Sequence, residues 1–146
     1  MAKVVPTISS DTAGPLGAAH LPRLWTKLTL AAHDALPDGY DESGQGFDAM
    51  TLSALNLDRQ KTIDFVRKNH PSYMQFEAWV LEQNGGKVDK AAIEKHNAAV
   101  RGYHHSDETG NKMRSSSGIK DASIKDAVRL NLVDDLDELQ KSLHHH

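Results

Sequence analysis

The chain has 146 residues, of which 38% are hydrophobic and 25% charged, a mix that suits one soluble globular domain and is too apolar for a disordered chain. It contains no cysteine, which excludes disulfides, thiolate zinc sites, iron–sulfur clusters and a cysteine nucleophile. Seventeen Lys and Arg against 20 Asp and Glu give a net charge of −3, so a phosphate backbone meets no global attraction and no nucleic-acid partner is expected.

Residues 1–20 hold two prolines and several glycines and serines without a sustained period, and read as an extended N-terminal arm. Met1-Ala2-Lys3 is followed by two valines and Pro6 rather than an apolar core of a leader, and no stretch approaches the ~18 apolar residues of a membrane span. A bacterial-type cytoplasmic protein with no membrane partner is the expectation. His144, His145 and His146 read as the remnant of an affinity tag, leaving residues 1–143 as a single helical domain.

Helical spacing begins after the arm. Leu21, Leu24, Trp25, Leu28, Ala31, Ala32 and Ala35 recur at three and four, and Pro22 suits a first helical position. Pro37-Asp38-Gly39 ends that run, and a long loop to Gly46 carries three glycines and Tyr40. A short second run covers about Phe47 to Leu55. Asp58 is positioned to cap Arg59 to Lys68, and His70-Pro71 ends that helix because the residue before proline avoids the helical region. Ser72 with Gln75 three residues on is a capping-box pattern that opens Tyr73 to Gln83, and Asn84-Gly85-Gly86 closes it.

Asp89 is the expected cap of Lys90 to about His104, and Ser106 the cap of a helix that stops at Gly118. Ser123 with Asp126 marks a further start, and Val133, Leu136, Leu139 and Leu143 make a closing amphipathic helix behind Asp134 and Asp135. No segment alternates as a strand, and no repeat is visible. The fold class is all-α: an irregular bundle of seven or eight short helices, with a cleft expected among the first, fourth and fifth.

Familiar enzyme signatures are absent. There is no H-x-x-x-H, H-E-x-x-H or E-x-x-H, and no Gly-rich phosphate or dinucleotide motif, so neither a metal nor an organic cofactor is expected. His104 and Glu108 are four apart, but a helix that starts at Ser106 leaves His104 outside it, so the pair need not converge on an ion. What remains is Arg101-Gly102-Tyr103-His104-His105, preceded by His96 and Asn97. On a continuous helix Asn97, Arg101 and His104 or His105 follow one polar face, with His96 and Tyr103 adjoining.

A guanidinium beside imidazoles is a usable anion-binding and acid–base set, which nominates His104, His105 and Arg101 as catalytic residues. The plain alternative is a core His96 and a surface Arg101. Gly102 costs about 1 kcal/mol relative to alanine inside a helix, so close packing or a ligand near its backbone is expected to compensate. Arg23 and Lys27, four apart on the first helix, with His20 just ahead, offer two cations for a carboxylate or phosphate, or else form a solvated face. The substrate-binding candidates are Arg23, Lys27, His20, Tyr40, His96, Asn97 and Tyr103.

The segments P-L-G-x-x-H-L-P-R-L-W-x-K (Pro15 to Lys27), P-S-Y-x-x-F-E-A-W-V (Pro71 to Val80), H-N-A-A-V-R-G-Y-H-H (His96 to His105) and S-I-K-D-A-V-R-L-N (Ser123 to Asn131) carry a resemblance. Together they resemble an uncharacterised bacterial family of small all-helical proteins, catalogued as a domain of unknown function. The resemblance spans most of the chain and implies an all-α bacterial protein. It implies no activity and no catalytic residue.

Two functional classes follow. One is a small-molecule enzyme without an organic cofactor, using histidine acid/base and arginine anion-binding chemistry on a small anionic or carbonyl-containing molecule. Lyase, isomerase and hydrolase chemistry all stay open. The other is a non-catalytic helical interaction protein that self-associates as a homo-oligomer and whose histidines are incidental.

Overall fold

A computed structural model describes residues 2–144. Met1, His145 and His146 lie outside the described residues, so the expected tag remnant is described only at His144. The fold is all-α. Among the described residues there are seven helices and no strand: α1 (Leu21–Ala32), α2 (Phe47–Ala54), α3 (Arg59–Asn69), α4 (Tyr73–Gln83), α5 (Lys90–Gly102), α6 (Asp107–Ser117) and α7 (Ala127–Leu143). None is long and apolar enough to cross a membrane.

Capping chemistry sets most of the helix starts. Asp58 accepts from the Lys61 amide at 2.9 Å, and Ser72 and Gln75 form the full reciprocal capping box. Asp89 accepts from the amides of Ala91 and Ala92, and Ser106 from Thr109. Gly118, at φ 75°, ends α6 in the left-handed conformation that glycine adopts without a Cβ penalty.

The larger core is built around α1. Leu21, Leu24 and Leu28 lie one turn apart and are buried against α3 and α4, where Val66, Phe76 and Val80 meet them. Each such side chain contributes about 1.5–3 kcal/mol by leaving water. A smaller cluster of Ala19, Phe47, Val100 and Ala127 joins the arm, α2, α5 and α7.

Besides the earlier end of α1 at Ala32, two boundaries differ from the sequence reading. Helix α5 stops at Gly102 rather than His104, because Tyr103 turns to extended backbone (φ −73°, ψ 129°). Its carbonyl then accepts from the Ala127 amide at 2.8 Å, and His104 bridges to Asp126. Gly102 thus sits at a helix end, exposed, with nothing within 4 Å of where a Cβ would stand, so neither packing nor a ligand has to offset it. The second difference is that α7 is one helix, capped by Asp126. The Ser123 hydroxyl is instead engaged by Asp121 at 2.6 Å.

The arm carries no helix or strand, yet it belongs to the core. Ser10, Ala18 and Ala19 are buried, and Val4 N–H donates to the Ala35 carbonyl at 2.8 Å. The Glu77 carboxylate, itself buried, accepts from the Leu16 amide at 3.1 Å and from the Tyr73 hydroxyl at 2.6 Å. Gly14 lies against this pair so closely that a Cβ there would fall 2.6 Å from both side chains. His96 Nε2 donates to the Ala19 carbonyl at 2.8 Å, and Asn97 clamps Ala19 N–H and the Gly17 carbonyl, each at 2.8 Å.

Candidate functional site

The end of the arm delivers His20 to the start of α1 in an unusual state. It is 2% exposed and holds φ 73°, a left-handed conformation that costs a non-glycine residue about 1–2 kcal/mol. Such strain persists only where surroundings over-determine it, and it concentrates at functional sites. Here the surroundings are the His20 amide bonded to the Thr12 carbonyl at 3.0 Å, the Phe47 ring at 5.5 Å, and Asp48.

Asp48 stands in the first turn of α2, where the helix dipole favours a carboxylate. Its Oδ1 accepts from His20 Nε2 at 2.6 Å, and its Oδ2 accepts from the Gly44 amide at 2.8 Å and from Lys27 Nζ. Burial alone pushes the Asp48 carboxyl up, but the hydrogen bond from His20, the Lys27 charge and the Gly44 amide outweigh it and bring the pKa down to about 2. Burial holds the His20 imidazole below its ordinary 6.5 despite the neighbouring carboxylate. His20 is therefore neutral at pH 7. With its Nε2 hydrogen given to Asp48, Nδ1 keeps a lone pair, and that atom is buried with no partner among the described residues.

One turn along α1 from His20, on the side of α7, a second pair forms. Arg23 bonds Asp135 through both terminal nitrogens, at 2.7 and 3.2 Å, and donates to the carbonyls of Pro6 and Ile8 at 2.6 and 2.9 Å. Asp135 is 2% exposed and also accepts from the Tyr40 hydroxyl at 3.0 Å. Burial, then the Asp135 charge, raise the Tyr40 hydroxyl well above its ordinary value, so it stays a donor.

These groups line a polar cavity of about 280 Å³ between the start of α1, the Gly39–Gly46 loop, the first turn of α2 and the middle of α7. Ser10 lines it too, with its hydroxyl buried and unpartnered among the described residues. The arrangement offers an oriented neutral imidazole whose second nitrogen is buried and without a partner among the described residues, flanked by two salt bridges, and a tyrosine on the Gly39–Gly46 loop. Among the described residues, no group of three or more His, Asp or Glu is placed to hold a metal ion.

Four of the ten expected site residues, His20, Arg23, Lys27 and Tyr40, meet in this cavity. Arg23 and Lys27 are not free cations, however, because each already holds a buried aspartate. The other six lie outside this cavity, which is not among α1, α4 and α5. Arg101 is exposed and pairs with Asp11 at 2.8 Å. His104 is exposed and lies outside the helix, so it shares no helical face with Asn97 and Arg101. His105 donates to Asn131 at 2.9 Å, and Tyr103 packs its ring edge-on against Phe47. Asn131 and Phe47 line the cavity, which puts His105 and Tyr103 one layer behind it. His96 and Asn97 hold the arm in place. Glu108 reaches towards Lys112 at 3.4 Å, away from any ligand set with His104.

Asp48, Asp135 and Ser10 were not singled out from the sequence. The available signal was indirect: Arg23 and Lys27 adjoin Leu24 and Leu28 on α1, and a cation buried at such a position requires a buried acid. Nothing in local spacing says which of 20 acids would answer. No protein-family model matches the chain, and no curated protein does.

Proposed function

We propose that the protein is a small-molecule enzyme, free of an organic cofactor, that transfers a proton through His20 in this cavity. The observation that carries the reading is the His20–Asp48 contact. A buried, neutral imidazole is fixed by a carboxylate on one nitrogen and left unpartnered on the other, in a residue held in strained backbone at a cavity wall. His20 Nδ1 takes a proton from the bound substrate, the imidazolium that forms is stabilised by ionised Asp48, and the same nitrogen returns the proton to the product. Asp48 and Lys27 act as positioning residues by fixing the tautomer and the charge beside it. Proton transfer of this kind serves lyases, isomerases and hydrolases alike.

The test is turnover in a metabolite extract, read by mass spectrometry, with wild type and His20→Asn compared after both are shown to melt cooperatively. Metabolites consumed by wild type and spared by the variant are expected. Equal consumption by both, or no consumption by either, overturns the reading.

A second reading is favoured by one observation. Leu136, Leu139 and Leu143 on α7 are 48%, 37% and 59% exposed and follow helical spacing, an apolar stripe with no cover among the described residues. On this reading the protein self-associates through α7. Sedimentation of wild type against Leu136→Glu decides it: a dimer converted to monomer supports association, and a wild-type monomer dismisses it.

A further inference from the structure

The cavity's charges do not cancel. Arg23 and Lys27 are matched by Asp135 and Asp48, but two further carboxylates, Asp41 and Asp134, stand at its rim. Both are exposed, and neither has an ion-pair or hydrogen-bond partner among the described residues. With His20 neutral the cavity carries two uncompensated negative charges. Two buried polar atoms of its lining residues, His20 Nδ1 and Ser10 Oγ, are also without partners among the described residues. The first of these is a lone pair, and what it lacks is a donor. From this charge and this unpaired acceptor we infer that the ligand of the cavity is a small organic cation bearing an ammonium group, held at the rim by Asp41 and Asp134 with its hydrogen-bond donors turned towards His20.

This inference rests on the reading of the cavity as the working site, and it replaces the anionic or carbonyl ligand expected from Arg23 and Lys27 being free. Arg23 spends its terminal nitrogens on Asp135 and two carbonyls, so an incoming carboxylate would have to displace buried partners and would meet two rim aspartates of its own sign. An ammonium meets the opposite: two carboxylates free to pair, and donors for the orphaned imidazole nitrogen. Asp134 gains in particular. Partial burial of the carboxyl group, then the neighbouring Glu138, Asp135 and Asp137 charges, push it up against the opposing pull of Lys141, and a further cation beside it relieves that repulsion. Among the described residues no three acids gather as ligands for a metal ion, and the complement inferred for the rim is an organic cation.

Three probes of one chain length separate the classes: 1,4-diaminobutane, 1,4-butanediol and succinate, titrated at pH 7 into the full chain labelled with nitrogen-15. The diamine is expected to shift the amides of Gly44, Asp48 and Asp134 saturably, and to do so at concentrations where the diol and the diacid have no effect. Asp134→Asn and Asp41→Asn, both rim substitutions that leave the buried pairs intact, should each weaken the diamine by about three- to tenfold, and added salt should weaken it in wild type. Succinate binding as tightly as the diamine, a diamine response unchanged in both variants, or silence from all three probes overturns the inference. The titration is repeated on His20→Asn. Persistent turnover by that variant with the amine preference intact removes the proton-transfer role alone. Lost turnover with succinate preferred removes the cation alone.

Discussion

At the scale of single residues, Asp48 has the sharpest consequence. Its carboxyl is depressed from 3.8 to about 2 in the folded protein, so folding binds fewer protons there than unfolding does. The stabilisation, about 2 kcal/mol, is fully present above pH 4 and is lost as the pH falls through 2. His20 adds a loss of the same sign at higher pH. Its folded pKa lies below 6.5, so stability falls as the pH drops beneath 6.5 and the unfolded chain takes up a proton that the buried imidazole refuses. Urea unfolding followed from pH 7 to pH 2 should therefore show two declines in wild type. Asp48→Asn should show a shallower lower decline, that of Asp121 and Asp126 alone, and be less stable at pH 7. A variant with the wild-type profile below pH 4 would show that Asp48 carries no buried charge in the native state.

Helix α7 shows what an element's boundaries depend on. Two N-cap candidates, Ser123 and Asp126, stand three residues apart, and propensity favours both. Asp126 prevails because its carboxylate reaches the Arg129 amide at 3.0 Å and also the Arg129 guanidinium, whereas Ser123 is drawn back to Asp121. Asp126→Ala should cost about 1 kcal/mol and Ser123→Ala a few tenths, measured by thermal melts of the two variants side by side. Equal losses would place the start of the helix elsewhere. The same segment explains why α5 stops early. His104 pairs across to Asp126 and Tyr103 to Ala127, so two bridging contacts from a distant stretch replace the last helical turn. That substitution removes the continuous face on which Arg101, His104 and His105 were expected to align.

Across the whole molecule the arm behaves as a structural part. Pro6 and Ile8 accept from buried Arg23, Thr12 fixes the strained His20, and Leu16, Gly17 and Ala19 are tied to Glu77 and Asn97. Removing residues 2–12 would take away two acceptors of the Arg23 guanidinium and part of the cover of the Arg23–Asp135 pair, so that water would compete for a pair that is now buried. The truncated chain should keep most of its helical circular dichroism, melt at markedly lower temperature and lose the backbone strain at His20. A melting temperature equal to that of the full chain would show the arm to be a passive wrapping.

The all-α class and most helix starts were legible in the sequence, because they rest on short-range physics. A hydroxyl or carboxylate three residues ahead of an amide, a glycine after a last turn and apolar residues at three and four act within one or two turns, and Ser72–Gln75 and Asp58 needed nothing else. His20, Arg23, Lys27 and Tyr40 were legible as chemistry. Their meaning was decided only by tertiary structure, since their partners are separated from them in the chain by 28, 112, 21 and 95 residues. A buried charge must find a counter-charge, but no local rule states which acid that will be. Asp135, which reads as one more exposed acid in a charged helix, is the buried partner of Arg23 because the tertiary fold brings α7 to the Arg23 guanidinium beside the arm.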